Sequence, residues 1–248
     1  MDWFFALEQD LPPGAGFRLW GPGHLGMLAL CGLAAAALGL GYCRLDPAGR
    51  GRLRRGLGLA VLLCEAAKDA NLIAQGVMGV YFLPLHLCGL AVFFTFWHSL
   101  LRPEGELGRT LGNFLYSTCM PGAAFALLFP DWTAYPLLGF HSLVAFLVHT
   151  LLVAYPLVQV AAGDLRPEPG LLGRCLALLA GLAGAVYLFD RTFEANYMFL
   201  LEPAPGSPLE WFAGAFGNPG YLLGYVPMLA LVWLLLYLPF RHKKIPPP

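Results

Sequence analysis

The chain has 248 residues, of which 58% are hydrophobic and only 12% are charged, and its formal net charge at neutral pH is zero. Soluble domains are about a quarter charged, so this composition excludes an ordinary soluble domain and indicates that a bilayer covers much of the apolar surface. The balanced charge and the lack of a nucleic-acid-binding motif argue against nucleic acid as a partner.

The first segment of the chain, residues 1–21, is rich in aromatic side chains, among them Trp3, Phe5 and Trp20. It lacks the positively charged start of a cleaved signal peptide, and we expect it to lie at the membrane interface. The six cysteines of the chain show no CxxC spacing. We therefore expect neither a disulfide framework nor a zinc ribbon, and no metal or other cofactor.

Seven apolar stretches follow, each close to the ~20 residues that a spanning helix needs. We predict an all-α fold, a seven-helix transmembrane bundle that forms one domain over residues 1–248. The predicted helices 1 to 7 cover residues 22–42, 56–78, 82–101, 110–129, 138–160, 171–189 and 220–240. An outer loop, 190–220, precedes the last helix, and the proline-rich tail, 242–248, is predicted to be disordered.

The cationic residues favour one orientation of this bundle. Twelve of them fall on one side: Arg44, Arg50, Arg52, Arg54, Arg55, Arg102, Arg109, Arg166, Arg174, Arg241, Lys243 and Lys244. The other side has only Arg18 and Arg191. By the positive-inside rule the N-terminus lies outside and the C-terminus lies in the cytoplasm, which requires an odd number of spans. We expect a multi-pass protein of the cell membrane, inner or plasma.

Predicted helix 2 carries a polar stripe. It consists of Cys64, Glu65, Lys68, Asp69, Asn71 and Gln75. Each charge placed at the centre of a span costs roughly 2.5–3.5 kcal/mol on insertion scales, so the stripe must face the interior of the bundle. Two interpretations stay open. Glu65 or Asp69 neutralises Lys68 in an internal ion pair, or the stripe forms a proton relay or a site for lipid headgroups.

The stretch Leu83-Pro84-Leu85-His86-Leu87-Cys88 opens predicted helix 3. With a rise of ~1.5 Å per residue, Cys88 is expected about 9 Å below the outer boundary. His86 and Cys88 point to roughly opposite sides of a regular helix, so His86 is a poor general base for Cys88 unless Pro84 distorts the turn. A thiol near imidazoles is suited to acyl chemistry on lipids. The alternative is an ordinary buried cysteine.

Predicted helix 5 carries His141 near its outer end and His149 about half a helix deeper. The alternative for His149 is a structural role, in which its side chain only forms a hydrogen bond to a neighbouring helix. The outer loop contains Asn196 and Tyr197, together with prolines and aromatic residues, and either closes over an outward-facing site or packs on lipid headgroups.

These polar residues converge on the outer half of the predicted bundle. They are Lys68, Asp69, Asn71, Cys88, His141, His149, Asp190 and Asn196. Polar residues buried for packing alone would scatter through both halves. The clustering therefore predicts a functional site that opens outward.

At this point the sequence resembles a known family. The stretch 83–88 is similar to the signature of the YwaF-like integral membrane proteins, a family that includes transmembrane protein 164 of eukaryotes. Further similar stretches are Gly23-His24-Leu25, His149 within predicted helix 5, Asn196-Tyr197-Met198-Phe199-Leu200 with Pro203 following, and Leu236-Tyr237-Leu238-Pro239-Phe240. The resemblance covers nearly the whole chain in the same order.

This resemblance implies a seven-helix acyltransferase that modifies lipids through a cysteine. The family's thiol falls on Cys88 and its partner histidine on His149, with membrane phospholipids as acyl donor and lyso-lipid acceptor. Residues expected to bind substrate or support the reaction are Lys68, Asp69, Asn71, His86, His141, Asn196 and Tyr197. His149 would take the thiol proton, because the thiolate is the nucleophile.

Three other interpretations stay open. A proton-coupled transporter or channel would use Glu65, Lys68 and Asp69 as a relay. A ligand-sensing receptor rests only on the span count and the outer loop. A metal site would need its four ligands from the histidines at positions 24, 86, 141 and 149.

Overall fold

The computed structural model of the chain describes residues 3–204 and 206–240. It is 75% helix, and no strand occurs among those residues, so the predicted all-α class is confirmed. The predicted disordered tail 242–248 lies outside the described residues. The same holds for Arg241, Lys243 and Lys244, which contributed to the predicted orientation.

Nine α-helices follow one another in the described chain. They are α1 Pro22–Arg44, α2 Pro47–Ala74, α3 Leu87–Leu100, α4 Glu106–Phe114, α5 Met120–Leu128, α6 Phe140–Ala162, α7 Leu172–Phe193, α8 Pro208–Phe216 and α9 Tyr225–Tyr237. A π-helical turn, Leu115–Cys119, joins α4 to α5 without a break. Such turns add one residue to the helical repeat and are found mostly at sites with a special packing or functional role.

Five of these helical segments are long and apolar enough to cross a membrane. They are Pro22–Arg44, Glu106–Leu128, Phe140–Ala162, Pro169–Phe193 and Gly220–Phe240. Helix α3 is apolar but shorter, with 14 residues, and α2 is 28 residues long but carries several charges. Together these helices make the chain a multi-pass membrane protein.

The starts of α2 and α3 differ from the prediction for identifiable physical reasons. Helix α2 begins at Pro47 rather than at 56, because the Asp46 side chain accepts a hydrogen bond from the Gly49 N–H (2.9 Å) and proline is favoured at the first helical position. Four arginines expected in a loop therefore lie within α2. Helix α3 begins at Leu87 rather than at 82, since the preceding residues are extended around Pro84.

The predicted outer loop 190–220 is also more structured than expected. Helix α7 continues to Phe193, and the loop contains a short 3-10 turn at Tyr197–Phe199 and the whole of α8. The N-terminal segment, predicted to be interfacial, forms 3-10 turns at Trp3–Phe5 and Glu8–Asp10 within the described residues.

Helix α6 is the central element, and it packs against α1, α2, α3 and α5. We call the end of the bundle where α3 and α6 begin the thiol end. We call the opposite end, where α2 and α7 begin, the arginine end. Between them lies an apolar layer in which Val61, Ala91, Val92 and Leu152 are almost completely buried.

Candidate functional site

Cys88 is the second residue of α3, at the thiol end. His86 is the N-cap, with extended backbone angles (φ −62°, ψ 152°), and its side chain makes no capping bond. Gly89 lets the chain fold back on itself, since a Cβ there would lie only 2.7–2.8 Å from backbone atoms of Pro84. Cys88 was predicted about 9 Å below the outer boundary, within about two turns of the start of a helix from residue 82. The helix begins at Leu87 instead, so the thiol lies in its first turn.

Two opposing effects act on the Cys88 thiol. The first turn of a helix leaves N–H groups unpaired and stabilises nearby negative charge. The half-buried side chain also packs against the main buried apolar cluster of the bundle, and burial among apolar groups opposes a thiolate. A base close to Cys88 is therefore needed for it to act as a nucleophile.

His149, in α6, has the geometry of such a base. Its Nδ1 lies 2.7 Å from the carbonyl oxygen of Ala145, and because a carbonyl only accepts hydrogen bonds, Nδ1 carries the proton. The neutral ring therefore has its lone pair on Nε2. Among the described residues, no group bonds Nε2, and no hydrogen bond joins His149 to Cys88.

The loop of residues 130–139, between α5 and α6, forms one wall of the site. Trp132 stacks on the His149 ring, with centroids 4.9 Å apart and planes at 25°. Tyr135 lies over His141 at 5.0 Å. Cys88 packs against the buried cluster that contains Val148, the residue before His149. The short gap between predicted helices 4 and 5 gave no reason to expect the contact of Trp132 with His149, although Asp131 and Trp132 stand just before a histidine-bearing helix.

Lys68 carries a positive charge among the predicted site residues. Its Nζ lies 2.5 Å from Glu65 Oε1 and 3.5 Å from Asp69 Oδ1, so the predicted internal ion pair is confirmed. The Lys68 charge also acts on His141 and His149. The roles of Lys68 and Asp69 as supporting residues stay a prediction.

His86 faces the segment that follows α7 rather than acting on Cys88. Its Nδ1 accepts a hydrogen bond from the Met198 N–H (3.2 Å), and Tyr197 and Phe199 lie against its ring at 4.9 and 5.4 Å. The stretches 83–88 and 196–200, which carry the most specific part of the family resemblance, thus contact each other. Neutral His86 then has its proton on Nε2.

Asn196 has a structural role in the loop after α7. Its Oδ1 accepts hydrogen bonds from the N–H groups of Leu201 and Glu202, and its Nδ2 donates to the carbonyl of Glu202. All of its bonding therefore goes to the backbone, and the predicted contact of Asn196 with substrate gains no support. Tyr197 similarly donates to the Val80 carbonyl (2.6 Å), and burial raises the pKa of its hydroxyl.

Asn71 and Asp190 complete the predicted set. Asn71 accepts a hydrogen bond from Gln75, which also donates to the Phe5 carbonyl, so Gln75 joins Asn71 to the N-terminal segment. Asp190 is completely buried, and neither carboxylate oxygen has a hydrogen-bond partner in the described chain. Its charge acts on His86.

The four histidines proposed as metal ligands do not form a common site. His24 accepts a hydrogen bond from the Trp20 N–H through Nδ1 and donates to the Leu127 carbonyl through Nε2, which leaves no ring nitrogen for a metal. In residues 3–204 and 206–240, no group of three or more His, Cys, Asp or Glu side chains is arranged to hold a metal ion.

Comparison with known sequences and structures identifies the family. No curated protein and no solved structure matches the chain. The sequence model of the TMEM164 family matches residues 19–237, a range that includes all nine helices and every residue of the candidate site. The chain therefore belongs to the TMEM164 family.

Proposed function

We propose that this protein is a membrane-embedded phospholipid acyltransferase, with Cys88 as the nucleophile and His149 as the base. Two observations carry the proposal: a thiol lies in the first turn of α3, and a histidine of α6 has an Nε2 that makes no hydrogen bond among the described residues. Cys88 also packs against the buried cluster that contains Val148, the residue before His149. The resemblance to the YwaF-like family points to the same two residues.

We also propose that the chain crosses the membrane seven times, with its N-terminus outside and its C-terminus in the cytoplasm. Helices α2 and α3 would add two spans to the five apolar segments, because both pack within the bundle against central α6. The arginine end carries ion pairs such as Arg50–Asp164 and Arg174–Glu106, and the positive-inside rule places this end in the cytoplasm. The thiol end then faces outward in the cell membrane.

The reaction proceeds in two steps that share one base. His149 Nε2 takes the Cys88 proton, the thiolate attacks the ester carbonyl of a phospholipid, and a C–S bond replaces the C–O bond. The protonated histidine returns the proton to the departing lyso-lipid oxygen. A second lyso-lipid hydroxyl then attacks the thioester, gives its proton to His149, and releases the Cys88 thiolate, which takes that proton back. The Cys88–His149 hydrogen bond forms as the lipid binds, since such contacts tighten in the substrate complex.

A second candidate, a proton-coupled transporter or channel, is favoured by the ion pair of Glu65 and Lys68 with Asp69 beside them. A relay along α2 would have to continue toward the arginine end past Val61. That residue is fully buried and packs in the apolar layer with Val92 and Leu152. Acyl transfer needs no such path, and the structure therefore supports it better.

The deciding experiment maps covalent acylation on the purified protein. We would incubate it with a phospholipid that carries a clickable acyl chain and locate the thioester by mass spectrometry, with hydroxylamine release as confirmation. We expect the label on Cys88 and its loss in His149→Ala. Cys64→Ala is the matched control, because Cys64 is a half-buried thiol on α2 beside Glu65 and its loss should change nothing. Acyl transfer that persists in Cys88→Ala would refute the proposal. Transport activity that is lost without Glu65 or Lys68 but persists in Cys88→Ala would favour the transporter or channel.

A further inference from the structure

Trp132 contacts the candidate base but has no role in the reaction described so far. Its indole ring stacks on His149 at 4.9 Å and meets Phe146 edge-on at 5.4 Å. The single polar atom of the side chain, Nε1, is buried and has no hydrogen-bond partner within the described part of the chain. By contrast, Nε1 of Trp233 donates to the Ser117 carbonyl (3.1 Å).

An unpaired indole N–H next to a candidate base needs a physical explanation. The indole nitrogen only donates hydrogen bonds, and a buried donor left without an acceptor destabilises the folded chain. Most buried donors are therefore paired, and the exceptions include sites where a ligand supplies the acceptor. An acceptor brought next to His149 would satisfy Nε1 of Trp132.

The position of Trp132 is fixed by the N-terminal segment. The Phe17 N–H donates to the Thr133 carbonyl (3.0 Å), so the segment is bonded to the residue that follows Trp132. The two backbones cross closely at Gly16, where a Cβ atom would lie only 2.1 Å from Thr133 O. The Tyr135 N–H also bonds back to the Trp132 carbonyl (3.2 Å). Trp132 is thus held against His149 from both sides of the loop.

The charges nearby limit which group can bind the oxygen of a reacting ester. When Cys88 attacks, the carbonyl oxygen becomes negative and needs hydrogen-bond donors. The carboxylate of Asp131, next to Trp132 in the chain, repels such an oxygen when ionised. The Lys68 ammonium would attract it, but that group is already paired with Glu65 and Asp69. Two other buried polar atoms near the start of α6 lack partners in the described residues, His141 Nε2 and Ser142 Oγ. Of the three, only Trp132 has a ring in contact with His149.

We propose that Trp132 is a further residue of this site, whose ring fixes the plane of the His149 imidazole and whose Nε1–H donates to the ester carbonyl oxygen of the bound phospholipid. The indole keeps its proton throughout, so it stabilises the developing charge without transferring a proton. This inference rests on the proposed acyl transfer. It gives the ring an orienting role and the N–H a binding role, and two substitutions of Trp132 distinguish these roles.

The first test compares Trp132→Phe, which keeps an aromatic ring but lacks the N–H, with Trp132→Leu, which lacks both. Loss of one oxyanion donor lowers a rate about 100-fold. We expect that drop in Cys88 acylation by phospholipid for Trp132→Phe, whereas its alkylation by a small electrophile stays within about twofold of the unmodified protein. Trp132→Leu should slow both reactions. Trp20→Phe is the matched control, because Trp20 lies against His24, which is held by the backbone. Full acylation by Trp132→Phe would overturn the proposal.

The second test measures lipid binding without acyl transfer, and it uses the Cys88→Ala variant with 15N-labelled indole groups. We would record the indole N–H resonances in a maltoside detergent while adding a short-chain diester phospholipid or its diether analogue, which has the same phosphate but no ester carbonyls. We expect the Trp132 proton to shift downfield with the diester lipid alone, while the already bonded Trp233 stays unmoved. Equal shifts with both lipids, or none, would refute carbonyl binding. If the diester lipid alone shifts the Trp132 resonance, but the unmodified protein is never acylated on Cys88 in the labelling experiment, the proposed reaction is refuted and the binding inference stands.

Discussion

Gly89 allows a quantitative test of how the thiol is positioned. In Gly89→Ala the new Cβ would lie 2.7–2.8 Å from the O, C and Cα atoms of Pro84, which are backbone atoms that cannot rotate away. Such overpacking costs about 1–3 kcal/mol. Alanine also gains up to about 1 kcal/mol of helix propensity over glycine, which partly offsets this cost. The first turn of α3 must then separate from Pro84, and Cys88, one residue away, must move with it.

Gly32→Ala separates the steric effect from helix propensity. Gly32 lies in the middle of α1, and a Cβ there meets no atom within 4 Å, so this variant should gain about 0.5–1 kcal/mol. The difference between the two variants therefore measures the overpacking, about 1–3 kcal/mol. We would determine it by reversible unfolding in mixed micelles, together with the alkylation rate of Cys88. The reasoning would be refuted if Gly89→Ala were as stable as Gly32→Ala and its Cys88 reacted at an unchanged rate.

Two further predictions concern residues beside the site. Lys68→Met leaves Glu65 buried without its partner and should lower the free energy of unfolding by about 3 kcal/mol, the low end for a buried pair because the Lys68 side chain is 28% exposed. The double variant with Glu65→Gln should regain more than half of that stability in the same unfolding assay. A double variant no more stable than Lys68→Met would contradict the pairing. Asn196→Ala removes three hydrogen bonds to the backbone of Leu201 and Glu202 and should cost about 1–3 kcal/mol. Its Cys88 labelling should stay unchanged, and a variant of normal stability that failed to label would show that Asn196 binds substrate.

Much of the fold follows from the sequence because it depends on composition and length. Runs of ~20 apolar residues identify spanning helices wherever they fold, and the helical class is confirmed. The start of α2 also had a sequence signal, because Asp46 before Pro47 is a typical N-cap followed by a favoured first residue. We assigned it to a loop since the arginines that follow suggested a connection rather than a helix.

The site depends on contacts between distant segments, which a single sequence does not specify. His86 was expected in a regular helix beside the thiol, yet it contacts Met198, 112 residues further along the chain. Asn196 has the side chain of a ligand-binding residue, and only the structure shows that its bonds go to nearby backbone groups. Trp132 was missed because stacking on His149 depends on how the 130–139 loop is held by the N-terminal segment.

The distribution of unsatisfied polar groups supports placing the proposed site at the thiol end. At the arginine end, Arg54 and His98 each have an unpaired atom, but each also makes one hydrogen bond, to the Leu101 carbonyl and to Tyr155 respectively. At the thiol end the side chains of Trp132, Ser142 and Asp190 make no hydrogen bond at all within the described residues. Buried polar groups of this kind oppose folding and persist only where something compensates for them. In the proposed reaction, a bound lipid would supply ester and phosphate oxygens as acceptors for Trp132 and Ser142, whereas the Asp190 carboxylate, itself an acceptor, would need a donor. The apolar layer around Val61 would confine that reaction to the thiol end.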